Sequence, residues 1–168
     1  MRNTIINRRF KYTDVNATAI LIIINVIVFI LQNIFAKLPY ILSMVPIYIR
    51  LRHWYWQFFT YMFSHVDFWH LFSNMLGLYI FGRIVERSVG SREFLLYYLL
   101  TGTLAGFASY FFYLYSGSLF TVVLGASGAL YAIMLLFSVL FPNAVVYVFG
   151  IIPMRAPILV IIYFFIDF

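Results

Sequence analysis

Three side chains in two short stretches have the types and spacing to do chemistry together. In "HLFSNMLG", His70 and Asn74 stand four apart and share one face of a helix, with Gly77 extending the stripe. In "LGASGALYAIM", Ser127 lies between Gly125 and Gly128, inside the uncharged run from Phe94 to Met154. A serine hydroxyl can attack a carbonyl carbon, and N–H groups at a helix amino terminus, helped by His and Asn donors, can hold the oxyanion that forms. Together these are the parts of an acyl-transfer site. Each residue also has a plainer use: His and Asn bond neighbouring helices in membrane bundles, and Ser caps helices beside small residues. Cysteine is absent, which excludes a thiolate nucleophile, thiolate metal sites and disulfides. Neither a metal nor a cofactor enters the reading.

The elements that must position these groups follow from the solvent. With 65% hydrophobic, 22% aromatic and only 10% charged residues, the composition is that of an integral membrane protein. No repeat, linker or low-complexity tail divides the chain. The expected organisation is a basic amino terminus over residues 1–14 and one helical membrane domain over 15–168. The net charge of +6 is not a nucleic-acid signal, because Arg2, Arg8, Arg9 and Lys11 crowd the first residues as a topology signal would. Val15 to Ala36 carries no charge and is long enough for the ~30 Å hydrocarbon core, which predicts an uncleaved transmembrane helix. A second span is expected over Phe68 to Gly82. Turn signals at Ser116 to Ser118 and Phe141 to Asn143 divide the long uncharged run into spans near 94–115 and 127–141, and a fifth begins near Ala156.

Orientation and depth connect these spans to the chemistry. An inside amino terminus leaves Arg2, Arg8, Arg9, Lys11, Arg83, Arg87, Arg92 and Arg155 in the cytoplasm and only Lys37, Arg50 and Arg52 outside, which the positive-inside rule favours. The outer loop from Lys37 to Asp67 is then rich in Trp and Tyr, as interfaces are. His70 and Asn74 lie roughly 5–10 Å below that surface, where polar groups face a bundle interior or a water cavity. A helix from Ser127 to Phe141 rises only about 22 Å and cannot reach the outer surface. The segment "SLFTVVLGA" must therefore dip into the membrane and bring Ser127 to the depth of His70 and Asn74. Gly125 is expected to take backbone angles closed to other residues, and Gly128 to admit a neighbouring chain closely.

These motifs, with "FSHVDFWHLFSNM", "GRIVERSVGS" and "IPMRA", resemble the rhomboid intramembrane serine proteases over most of the chain after about residue 54. The resemblance implies an all-α, polytopic helical bundle that cleaves transmembrane protein substrates in the bilayer through a Ser-His dyad. It assigns Ser127 as nucleophile, and gives His70, Asn74 and the Ser127 N–H to the oxyanion. His65 would shape a water-accessible cavity. Two departures stand out. A Trp-Arg pair of the family reads Trp56-Gln57 here, with an effect expected only on loop packing. The family's general base is a histidine on a sixth helix, whereas this chain has only His53, His65 and His70 and stops at "YFFIDF". Five spans are therefore expected, with the sixth and the base missing and the chain as written an inactive fragment. The competing reading is a non-catalytic rhomboid-like protein that binds membrane clients. A transporter is less well supported, since neither paired intramembrane charges nor an inverted repeat is visible. The expected location is the cell membrane, with the amino terminus in the cytoplasm.

Overall fold

Asn16 opens the first helix: its side-chain oxygen accepts the Ala19 N–H at 3.2 Å, and α1 (Ala17–Ile34) follows. The computed structural model describes residues 15–148, 152–155, 158 and 161. Three short helices come next, α2 (Leu38–Leu42), α3 (Pro46–Arg52) and α4 (Gln57–Thr60), the first two with proline in the opening turn, where a missing N–H costs nothing. A 3₁₀ turn (Tyr61–Phe63) leads to Asp67, whose carboxylate accepts the His70 N–H at 2.8 Å and starts α5 (Phe68–Gly77).

That helix does not stop at Gly82 as the charge pattern suggests. It passes through a π-helical turn (Leu78–Gly82) into α6 (Arg83–Val89) and ends at Gly90, whose φ of 101° suits glycine. Glu86 makes the extension possible. Its carboxylate accepts the Ala17 N–H (2.7 Å), the Thr18 N–H (3.0 Å), the Thr18 hydroxyl (2.6 Å) and the Ser91 hydroxyl (2.6 Å). A buried acid thus caps α1 and ties it to the α6–α7 corner, satisfying orphan N–H groups in a place where water is scarce. Next come α7 (Ser91–Tyr115), which starts three residues before the expected Phe94, and α8 (Ser127–Leu140). Turns at Ser116–Gly117 and Pro142–Asn143 fall where the sequence signals them.

An antiparallel hairpin of β1 (Val145–Val148) and β2 (Ile152–Arg155) follows, pairing Val145 with Arg155 and Val148 with Ile152. Nothing in the sequence reading anticipates it. Its strands are rich in β-branched residues, Val145, Val146, Val148 and Ile152, which favour extended backbone. Of the expected fifth span only residues 158 and 161 are described, both helical, and the basic segment 1–14 lies outside the described residues.

The surface identifies the solvent. Large apolar side chains face outward on every long helix, among them Ile23, Leu96, Leu104 and Val139, while Asn25, Gln32, Gln57, Ser64, Asn74 and Glu86 are buried. Both α1 and α7 are long and apolar enough to cross a bilayer. The continuous helix from Phe68 to Val89 is about 33 Å long, enough by length to span the hydrocarbon core. This is a helical membrane protein whose outer faces meet lipid and whose core, including Met44, Met62, Leu78, Tyr98, Leu130 and Ile133, lies between the helices.

Candidate active site

The stretch before Ser127 is irregular, so its backbone groups need partners other than a helix's own. They find them in the segment between α1 and α5. Ile47 donates its N–H to the Leu119 carbonyl at 3.0 Å, and Met44 and Val123 exchange two bonds of 2.9 Å each as an isolated antiparallel bridge. The Gly125 N–H then reaches the Tyr61 carbonyl at 3.0 Å. Tyr61 is fixed in turn, because its hydroxyl donates to the Gly102 carbonyl of α7 at 2.7 Å.

Gly125 has φ of 113°, a conformation in which L side chains are strained. Space imposes a second requirement: a Cβ there would lie 2.7 Å from both Cε1 and Nε2 of His70. The imidazole therefore rests directly on the Gly125 backbone. Ser127, two residues on and so within about 7 Å of chain, begins α8 half-buried. No side chain caps that amino end. Gly128 keeps the helix against α7, since a Cβ would stand 2.8 Å from the Ala105 methyl.

Asn74 lies one turn below His70 and is buried. Its Nδ2 donates to the His70 carbonyl at 2.9 Å, which fixes the amide orientation because the reverse would oppose two oxygens. One Nδ2 hydrogen remains, and the buried Oδ1 has no hydrogen-bond partner within the protein. His65 crosses the His70 ring edge-on at 5.1 Å between centroids. It is 3% exposed, and neither ring nitrogen forms a well-aligned hydrogen bond. Burial first, and the neighbouring His70 second, pull its pKa down to about 4, against a weak upward effect of the Phe63 backbone. At neutral pH His65 is an uncharged ring.

His70, Asn74, Gly125 and His65 are thus brought together beside the helix that Ser127 begins, and Gly128 serves the close approach of α8 to α7. Some residues that hold the site escaped the sequence reading. Gln57, expected to affect only loop packing, is wholly buried within that loop: its Oε1 accepts the Val45 N–H at 3.1 Å, and its Nε2 donates to the Tyr40 and Ile41 carbonyls, each at 3.3 Å. Gln32 on α1 donates to the Ser64 hydroxyl at 2.6 Å and accepts the His65 N–H at 3.2 Å. Ser64 lies 3.2 Å from the Ser43 hydroxyl, which closes the network. The available signal was an amide inside an apolar or aromatic run, where a polar group needs a partner. Among the described residues, no group of three His, Asp or Glu could hold a metal ion.

The Rhomboid domain family model matches residues 52–168. Over 116 residues the sequence is 39% identical to RHOMBOID-like protein 12, mitochondrial, of Arabidopsis thaliana, a match covering 60% of this chain and 34% of that protein. It is 30% identical over 115 residues to Rhomboid protease GlpG of Klebsiella pneumoniae, covering 68% of this chain and 40% of the relative. Rhomboid protein 1, mitochondrial, of Saccharomyces cerevisiae is 38% identical over 89 residues, with 52% and 25% covered. The matches thus span between a quarter and two-fifths of these relatives' lengths.

Proposed function

The chain belongs to the rhomboid family, and on that premise we propose that it supplies the nucleophile and oxyanion site of an intramembrane serine protease acting on transmembrane proteins. The observation that carries this reading is the seat of the His70 imidazole on Gly125, two residues before Ser127 at an uncapped helix end. The Ser127 Oγ attacks a peptide carbonyl, forming an ester as the C–N bond breaks and the amine leaves with a proton. The free Nδ2 hydrogen of Asn74, the His70 ring and the Ser127 N–H hold the oxyanion, and water then cleaves the ester. Neither a nucleic acid nor a cofactor takes part.

The serine needs a base. His53 sits exposed at the end of α3 and bonds to the Tyr55 hydroxyl at 2.8 Å, and His65, with its pKa near 4, is too weak to accept a proton at neutral pH. His70 is committed to the oxyanion. The family resemblance implies a base histidine on a sixth helix, and these 168 residues hold no histidine besides His53, His65 and His70. The 168-residue polypeptide is expected to react poorly with a fluorophosphonate probe and to leave a transmembrane substrate intact, whereas a version joined to a sixth helix bearing histidine does both reactions. In that version Ser127→Ala should lower both signals at least ~10³-fold. Strong Ser127-dependent labelling of the short polypeptide would return the base role to His70, tested by His70→Ala. The same reading puts the amino terminus in the cytoplasm, the Trp-rich loop outside, and the protein in the cell membrane.

A further inference from the structure

A second polar feature opens toward the bilayer, at the opposite end of the Phe68–Val89 helix from His70. Between α1 and that helix runs a groove of about 620 Å³, within the ~300–1,000 Å³ range of small-molecule sites. Its two ends differ in chemistry. Asn16, Arg83 and Arg87 line one end, and Ile22, Ile23 and Ile80 line the part that runs deeper along both helices. Arg83 and Arg87 are one turn apart and share a face. Among the described residues, neither guanidinium has a hydrogen-bond or ion-pair partner.

The donors at this end are matched to an anion. Each guanidinium has five N–H donors and no acceptor. Asn16 has used its oxygen on the Ala19 N–H, which leaves its amide hydrogens. The acid on the same turn, Glu86, is turned away, with its carboxylate taken by Ala17, Thr18 and Ser91. A free anion would satisfy the arginines but would have no use for the isoleucines, and Ile23, 56% exposed, and Tyr79, 64% exposed, stand at the groove's lipid-facing rim.

We propose that this groove binds an anionic glycerophospholipid, its phosphate on Arg83 and Arg87 and the first part of one acyl chain along Ile23 and Ile80. The ligand's two parts match the groove's two ends, and basic pockets between helices near a membrane surface suit such headgroups. Bound there, the lipid would bridge α1 and α6 beside the Glu86 cap.

The test is native mass spectrometry of the whole chain released from nanodiscs of equimolar phosphatidylglycerol and phosphatidylcholine. The native chain should retain phosphatidylglycerol over phosphatidylcholine, with about a fivefold preference from each arginine. Arg83→Gln with Arg87→Gln should remove that preference, Lys at both positions should keep most of it, and Arg92→Gln, at the start of α7 and outside the groove, should not change it. Ile23→Trp fills the apolar part without touching the arginines and should reduce retention of the lipid. Soluble glycerol 3-phosphate should not compete. A preference unchanged in the double Gln variant would overturn the proposal, as would full competition by glycerol 3-phosphate, which would mark a simple anion site. Asp14, two residues before Asn16, is the acid nearest to Asn16 in the sequence. A preference seen only in Asp14→Asn would overturn a site open in the native chain.

Discussion

The two ends of the helix from Phe68 to Val89 treat buried polar groups in opposite ways. At the α6 end, Glu86 receives four hydrogen bonds, from two backbone N–H groups and two hydroxyls, and turns a costly carboxylate into a joint between α1, α6 and α7. At the α5 end, Asn74 Oδ1 and both His65 ring nitrogens are buried without a partner inside the protein. An orphaned polar group costs about 1–3 kcal/mol. Buried atoms without a partner also occur at Asn25 Oδ1 and Tyr98 Oη, so what sets the groups beside Gly125 apart is that they lie next to the uncapped start of α8. Polar residues in an apolar solvent thus divide into those that finish the structure and those that leave it unfinished.

That contrast breaks most readily at Glu86. Replacing it with Ala orphans four donors at once and should lower stability by about 3–5 kcal/mol, read as a fall in the thermal unfolding midpoint in detergent. Asn74→Ala should by comparison stay within about 1 kcal/mol, since it removes a single side-chain hydrogen bond, to the His70 carbonyl, and an oxygen that has no partner. Equal losses at the two positions would erase the distinction between the ends.

Gly125→Ala tests the seat of His70. The substitution combines a strained φ with a 2.7 Å contact, and displacement of the imidazole should reduce Ser127-dependent probe labelling roughly 10²-fold in a version that labels. Labelling at the native rate would mean that the ring position is irrelevant to the serine.

His65 sharpens the comparison through pH. Its pKa is about 4 in the folded protein against an ordinary value near 6.5, so the unfolded chain binds the proton first as pH falls. The neutral ring's contribution is complete above pH 6.5 and is lost as the pH drops toward 4, by about 3 kcal/mol. Unfolding midpoints measured across that window should fall with acid, and His65→Gln should flatten the slope. An identical slope in the variant would assign the titration elsewhere.

The smallest perturbation reports which end faces outward. A cysteine in place of Leu51, which is 67% exposed near the Trp-rich cluster, should react with an impermeant maleimide in intact cells, and one in place of Asn3 should not. The reverse pattern would invert the topology and move the arginine groove to the other leaflet.

Much of this protein was legible before any coordinates. Hydropathy and charge are local, so the runs Val15–Ala36 and Phe94–Tyr115 declared their helices, and the four-residue spacing of His70 and Asn74 placed both on one face. The start of α8 at Ser127 was legible too, because a helix ending before Pro142 is too short to reach the outer surface. The extension to Val89 was not, since Arg83 and Glu86 look like the end of a span until Glu86 meets the first N–H groups of α1. Nor did the sequence reveal the Met44–Val123 bridge, the buried bonds of Gln57 or the contact of His70 with Gly125. Periodicity records how a residue is placed relative to its neighbours in the chain. Those contacts join segments far apart in it, and their existence depends on which backbone groups remain unpaired after the helices form, a quantity that only the assembled fold decides.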